Sequence, residues 1–82
     1  MNWIVEIGKN YVRVKNDIGY KSYYEIKPGW RGGVDKVDDF LMAKVTSADK
    51  VIHLAMLPVT CTSVIWKNID EAYKLYEQKN RF

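Results

Sequence analysis

The sequence predicts a single small α+β domain, and three observations predict it. The N-terminal part carries three β-rich runs separated by turn residues. A middle stretch repeats apolar residues at three- and four-residue steps. The C-terminal part begins with an asparagine followed by a helix-forming pattern. With 82 residues there is room for one core. A hydrophobic content of 48% and a charged content of 28% are those of a folded globular chain.

The first strand is "WIVEI", residues 3–7, with Trp3, Val5 and Ile7 on one side and Ile4 and Glu6 on the other. A turn at Gly8-Lys9-Asn10 leads to "YVRVK", in which Val12 and Val14 face opposite to Tyr11, Arg13 and Lys15. Register must bring apolar against apolar, so Ile7 pairs with Val12 and Val5 with Val14. A three-residue loop would swap the faces, which leaves a loop of two or four residues. Asp17-Ile18-Gly19 then reads as a hairpin loop with Gly19 in the left-handed region. The third strand is "YKSYYEI", residues 20–26. This phasing sets Lys15 opposite Lys21, Arg13 opposite Tyr23, and Tyr11 opposite Glu25. Tyr20, Ser22, Tyr24 and Ile26 turn inward.

"KPGWRGG", residues 27–33, ends the meander with paired turn formers. Val34, Val37, Phe40, Leu41 and Val45 then suggest a helix over residues 34–45. After Thr46-Ser47, the residues Ala48, Val51, Ile52 and Ala55 also recur at helical spacing. They follow a Thr46-x-x-Asp49 cap-like pattern and stop at Pro58. The same runs also fit two strands around a turn, and short apolar runs do not separate the two. "TCTSVIW", residues 60–66, is β-rich and uncharged, as a central strand would be. Asn68 caps a closing helix with Glu71 at its third position. Its apolar stripe is Ile69, Ala72, Tyr73 and Tyr76, and Lys74, Lys79 and Arg81 lie toward its end. That helix is expected to cover one sheet face.

Charge and cysteine content narrow the function classes. One cysteine, Cys61, allows no internal disulfide, which suits a reducing, cytoplasmic setting. No run of about 18 apolar residues predicts a membrane span, and "MNWIVEIG" lacks the pattern of a signal peptide. The net charge of +3 is uneven. Residues 1–33 hold six bases and three acids, the following 33 hold three and four, and the last 16 hold four and three. An anionic partner is therefore permitted without being required.

Little points to an enzyme. His53 and Cys61 are each single in the chain and sit in apolar runs, so a packed or half-exposed imidazole and a buried thiol explain them. No cofactor or metal is expected, because no ligand spacing for zinc or calcium is present. Asp35, Asp38 and Asp39 would sit in the first turn of the 34–45 helix, where the macrodipole favours acids. "GWRGG" lacks the Lys-Ser/Thr of a phosphate-cradling loop.

The candidate site is the outward side of the meander. Residues 11–33 hold five bases and five aromatic rings against two acids. Arg13, Lys15, Lys21 and Tyr23 fall on that side, and Trp30 and Arg31 follow in the next loop. Opposed lysines destabilise a sheet unless both splay into water or an anion sits between them. Arginine beside exposed tyrosine and tryptophan is the composition of a protein-binding hot spot. It is equally that of a platform for single-stranded nucleic acid. A lysine-, arginine- and tyrosine-rich side is also how a one-sided sheet stays solvated. "GYKSYYEI" lacks the base before glycine and the aromatic order of the RNA-binding sheet domains, so that family is not adopted. The reading chosen is contact with a protein partner through these six residues. Nucleic acid is the alternative, and self-association through an edge strand is a third reading.

Two stretches carry a resemblance. The opening hairpin "WIVEIGKNYVRV" and the ending "VIWKNIDEAYKLYEQ" resemble the layout of small phage-encoded accessory proteins, over residues 2–15 and 63–78. The resemblance implies a single-domain, non-catalytic protein made in the cytoplasm of a bacterial host cell. It further implies an inhibitor that binds a host or defence protein, anti-CRISPR inhibitors being one example. No functional residue is carried over from that family.

Overall fold

A computed structural model describes residues 1–67 of the chain. Seven strands follow one another: β1 (Trp3–Ile7), β2 (Tyr11–Asn16), β3 (Lys21–Glu25), β4 (Arg31–Val37), β5 (Phe40–Thr46), β6 (Val51–Pro58) and β7 (Thr62–Trp66). A single 3₁₀ turn, Val59–Cys61, links the last two. They form two sheets, one ordered β3-β2-β1-β7 and the other β4-β5-β6.

The meander has the register that its valines demand. Val5 pairs with Val14 and Ile7 with Val12, and Lys15 pairs with Lys21, Arg13 with Tyr23 and Tyr11 with Glu25. The Gly8 N–H donates to the Tyr11 carbonyl at 2.9 Å, closing a tight turn over Lys9-Asn10. Gly19 adopts φ 102°, as its hairpin loop requires. The Asn16 side-chain oxygen accepts from the N–H groups of Ile18 and Tyr20, at 3.0 and 2.9 Å, and fixes that loop.

The α+β expectation is overturned: the described residues form seven strands and a 3₁₀ turn and contain no α-helix. Residues 34–45 are not a helix but the facing parts of β4 and β5, which pair Val37 with Phe40 and Val34 with Ala43. Asp38 turns the chain at φ 54°, a left-handed conformation that aspartate tolerates better than most side chains. Residues 48–57 likewise belong to a hairpin. The Ser47 N–H donates to the Lys50 carbonyl at 2.9 Å, and Thr46 pairs with Val51. The alternative of two strands around a turn is the arrangement found. Asp35, Asp38 and Asp39 therefore have no helix dipole to serve. Asp35 instead accepts from the Lys44 ammonium at 2.8 Å on the next strand.

β7 is a strand, as expected, but it lies at an edge rather than in the centre of its sheet. It runs parallel to β1, with Val5 beside Val64 and Ile7 beside Trp66. Its lack of charge reflects Val64 and Trp66 packing against the core. The closing helix expected from Asn68 onward lies outside the described residues.

The two sheets bury one common core. Val5, Ile7, Val12, Val14 and Ile26 come from the first layer and Val34, Ala43 and Leu57 from the second. Gly32, on β4, is the point of close approach. A Cβ built there would lie 2.7 Å from Val12 Cγ2, 2.9 Å from Ile26 Cδ1 and 3.1 Å from Ile7 Cγ2. Glycine is required because the β4 backbone rests directly on the first sheet. No helix among the described residues is long and apolar enough to cross a membrane.

Candidate functional site

The side of the first sheet turned away from the core is built by alternation. Because Val12 and Val14 point inward, Tyr11, Arg13 and Lys15 of β2 point outward. Lys21, Tyr23 and Glu25 of β3 share that side, and so do Ile4 and Glu6 of β1.

A compact cluster organises one end of the face. The Tyr11 and Tyr23 rings stack with centroids 5.5 Å apart and planes 9° from parallel. The Arg13 guanidinium lies 5.6 Å from the Tyr11 centroid and 5.7 Å from that of Tyr23. Each such cation–π contact is worth about 0.5–1 kcal/mol at an exposed site. The Tyr11 hydroxyl donates to Glu6 Oε2 at 2.6 Å, and the same oxygen is 3.8 Å from an Arg13 nitrogen. Gly8 makes room for this, since a Cβ there would overlap the Tyr11 ring.

The electrostatics follow from those contacts. The Tyr11 hydrogen bond holds the Glu6 carboxyl below the usual carboxylate range. Burial opposes that shift, and the charges of Arg13, Lys67 and Lys15 add to it. The same hydrogen bond raises the Tyr11 phenol above its ordinary value. The cluster thus holds one ionised carboxylate beside Arg13, and the two lysines beyond it have no carboxylate in direct contact among the described residues.

Beside the cluster, Lys15 and Lys21 sit directly across from each other. Arg13, Lys15, Lys21, Ser22 and Tyr23 line an open hollow of about 440 Å³. No carboxylate lines it. Among the described residues neither lysine forms an ion pair, and the Glu6 charge reaches Lys15 only at a distance. The Tyr23 ring is 58% exposed, so an apolar anchor stands beside the positive charge.

The structure therefore brings together four of the six residues singled out in the sequence: Arg13, Lys15, Lys21 and Tyr23. Trp30 lies elsewhere. It is half-buried against the core and lines a smaller, mainly apolar hollow of about 310 Å³ with Glu25, Ile26, Lys27, Val45 and Ile52. Arg31 opens β4 in the other sheet. Glu6 was missed as a site residue, although the Ile7–Val12 register already places it opposite Arg13.

His53 is exposed on β6, where a packed or half-exposed imidazole was expected, and Cys61 is half-buried in the 3₁₀ turn rather than buried. Among the described residues no group of three or more His, Cys, Asp or Glu side chains could hold a metal ion.

In comparisons with family models, curated proteins and solved structures, the chain finds no match in any of the three. No residue role is inherited, and the functional reading rests on this geometry.

Proposed function

We propose that the chain is a small non-catalytic binding protein that occupies a partner protein's surface through the Arg13–Lys15–Lys21–Tyr23 face. One observation carries the reading: Lys15 stands directly across from Lys21 on an open sheet face. Opposed like charges on a sheet cost stability, and an acidic surface placed over them would convert that cost into attraction. The lysines steer the approach, and Tyr23, braced by Arg13 and Tyr11, supplies the anchor. The phage-type resemblance makes the more specific form of this proposal an inhibitor of a host or defence protein, acting in a bacterial cytoplasm.

The test is affinity capture from a bacterial lysate with the parent protein and with Lys15→Glu/Lys21→Glu. A protein retained by the parent and lost by the variant supports the reading. Identical retention by both, with the variant folded, removes this face from consideration.

The exposed Tyr23 ring beside two free ammonium groups favours a second reading, a platform for single-stranded nucleic acid. Binding of that kind weakens steeply with salt. A gel-shift series with single-stranded oligonucleotides that stays blank at low salt eliminates it.

A further inference from the structure

We propose that the hollow between Arg13, Lys15 and Lys21 is a site for a doubly charged phosphate monoester, carried on a side chain of the partner protein. The inference rests on the binding-protein reading above and names the chemistry that its central contact takes.

Three cations converge on one concavity of about 440 Å³, with the Ser22 and Tyr23 positions completing its wall. The nearby carboxylate offsets only part of their charge. Glu6 Oε2 accepts from the Tyr11 hydroxyl at 2.6 Å and lies 3.8 Å from Arg13, so one carboxylate faces three cations. The hollow thus keeps a surplus of positive charge that a single carboxylate would leave partly unmatched. A phosphate monoester concentrates about −1.5 to −2 charges on one tetrahedral group and offers three acceptor oxygens. That suits one guanidinium and two ammonium groups lining a single hollow.

The layout also separates a monoester from a nucleic-acid backbone. A backbone presents single charges in a row and needs a track of cations. Here the cations form one cluster, with Glu25 opposite Tyr11 on one flank and the Glu6–Tyr11 pair on another. Both acids lie toward the Tyr11 end of the face, so the row of cations does not continue in that direction. Tyr23, 58% exposed and stacked on Tyr11, stands ready to cover an apolar part of the same ligand.

The experiment uses the full chain and small probes. Amide chemical shifts are followed during titration with phenyl phosphate, a dianionic monoester. The controls are diphenyl phosphate, benzoate and a single-stranded oligonucleotide, at fixed ionic strength. The expected result is saturable shifts at Lys15, Lys21, Ser22 and Tyr23, with phenyl phosphate bound about ten-fold tighter than either monoanion. Lys15→Gln/Lys21→Gln, checked for fold by the same spectra, should weaken it by about ten-fold or more. Equal binding of benzoate overturns the phosphate assignment while leaving protein contact intact. Tighter binding of the oligonucleotide at the same residues overturns it in favour of nucleic acid. Absence of any saturable shift also overturns it, and the capture comparison above then decides separately whether the face binds a protein at all.

Discussion

Replacing Gly32 with alanine adds one methyl group at the place where the two sheets touch. The new Cβ would stand 2.7 Å from Val12 Cγ2, closer than such atoms can pack. Ile26 Cδ1, at 2.9 Å, is the end of a flexible side chain and can move aside. Val12 cannot, because it is β-branched, has no exposure and lies between its strand neighbours. Overpacking of this kind costs about 1–3 kcal/mol. Alanine returns about 0.5–1 kcal/mol of backbone entropy relative to glycine. The net expectation is a loss of about 1–2 kcal/mol, or a fall in Tm of roughly 5–15 °C for a domain of this size. Urea unfolding followed by tryptophan fluorescence measures it, and the m-value should not change. The clash has a stated partner, so Val12→Ala provides the control. Val12→Ala alone destabilises by about 1–3 kcal/mol. The double variant should then be more stable than the sum predicts, by about 0.5–2 kcal/mol. A Gly32→Ala protein as stable as the parent, or a double variant that is simply additive, would refute the account of how the sheets approach.

Four further outcomes follow from the same contacts. Lys21→Glu should stabilise the fold by up to about 1 kcal/mol, because it exchanges a like pair with Lys15 for an opposite one. It should at the same time abolish phenyl phosphate binding, so denaturation and titration of one variant must move in opposite directions. Tyr11→Phe should destabilise the fold at neutral pH, since it strips the hydroxyl from the Glu6 carboxylate. The pH sign follows from the Glu6 shift. Its lowered folded value contributes stability above the ordinary 4.5, and that contribution is lost as pH falls through the folded value. Unfolding measured from neutral pH down through that range should therefore show a smaller acid-induced loss in Tyr11→Phe than in the parent. Gly8→Ala should push the Tyr11 ring off Tyr23, and the ring-current shifts on the Tyr23 protons should vanish in its spectrum. Asp38→Gly should be neutral or slightly stabilising and Asp38→Val should cost about 1–2 kcal/mol, because position 38 sits at φ 54°. Thermal unfolding of the pair compares them directly.

The candidate site was largely legible because its register is local. Val5, Ile7, Val12 and Val14 admit one hairpin phasing, and that phasing alone puts Arg13, Lys15, Lys21 and Tyr23 on one side. Trp30 was not legible. An indole in a glycine-rich loop can turn outward or fold back, and here the neighbouring core holds it half-buried. The Tyr11–Glu6 bond joins positions on adjacent strands diagonally, so it follows from the register only once side-chain reach is considered.

What the sequence determined by itself was the N-terminal meander, where strand pairing spans short turns and each inward valine has a neighbour in sequence to oppose it. The tertiary structure alone decided the rest. Val34, Val37, Phe40, Leu41 and Val45 satisfy a helical stripe as well as a pair of strands, and periodicity gives both the same support. The strand form prevails because Gly32 lets β4 lie flat on Val12 and Ile7 while Val34 and Ala43 close the core from the other side. The parallel seat of β7 beside β1 was hidden for the same reason: it joins segments more than fifty residues apart, and no local pattern records which edge a distant strand will meet.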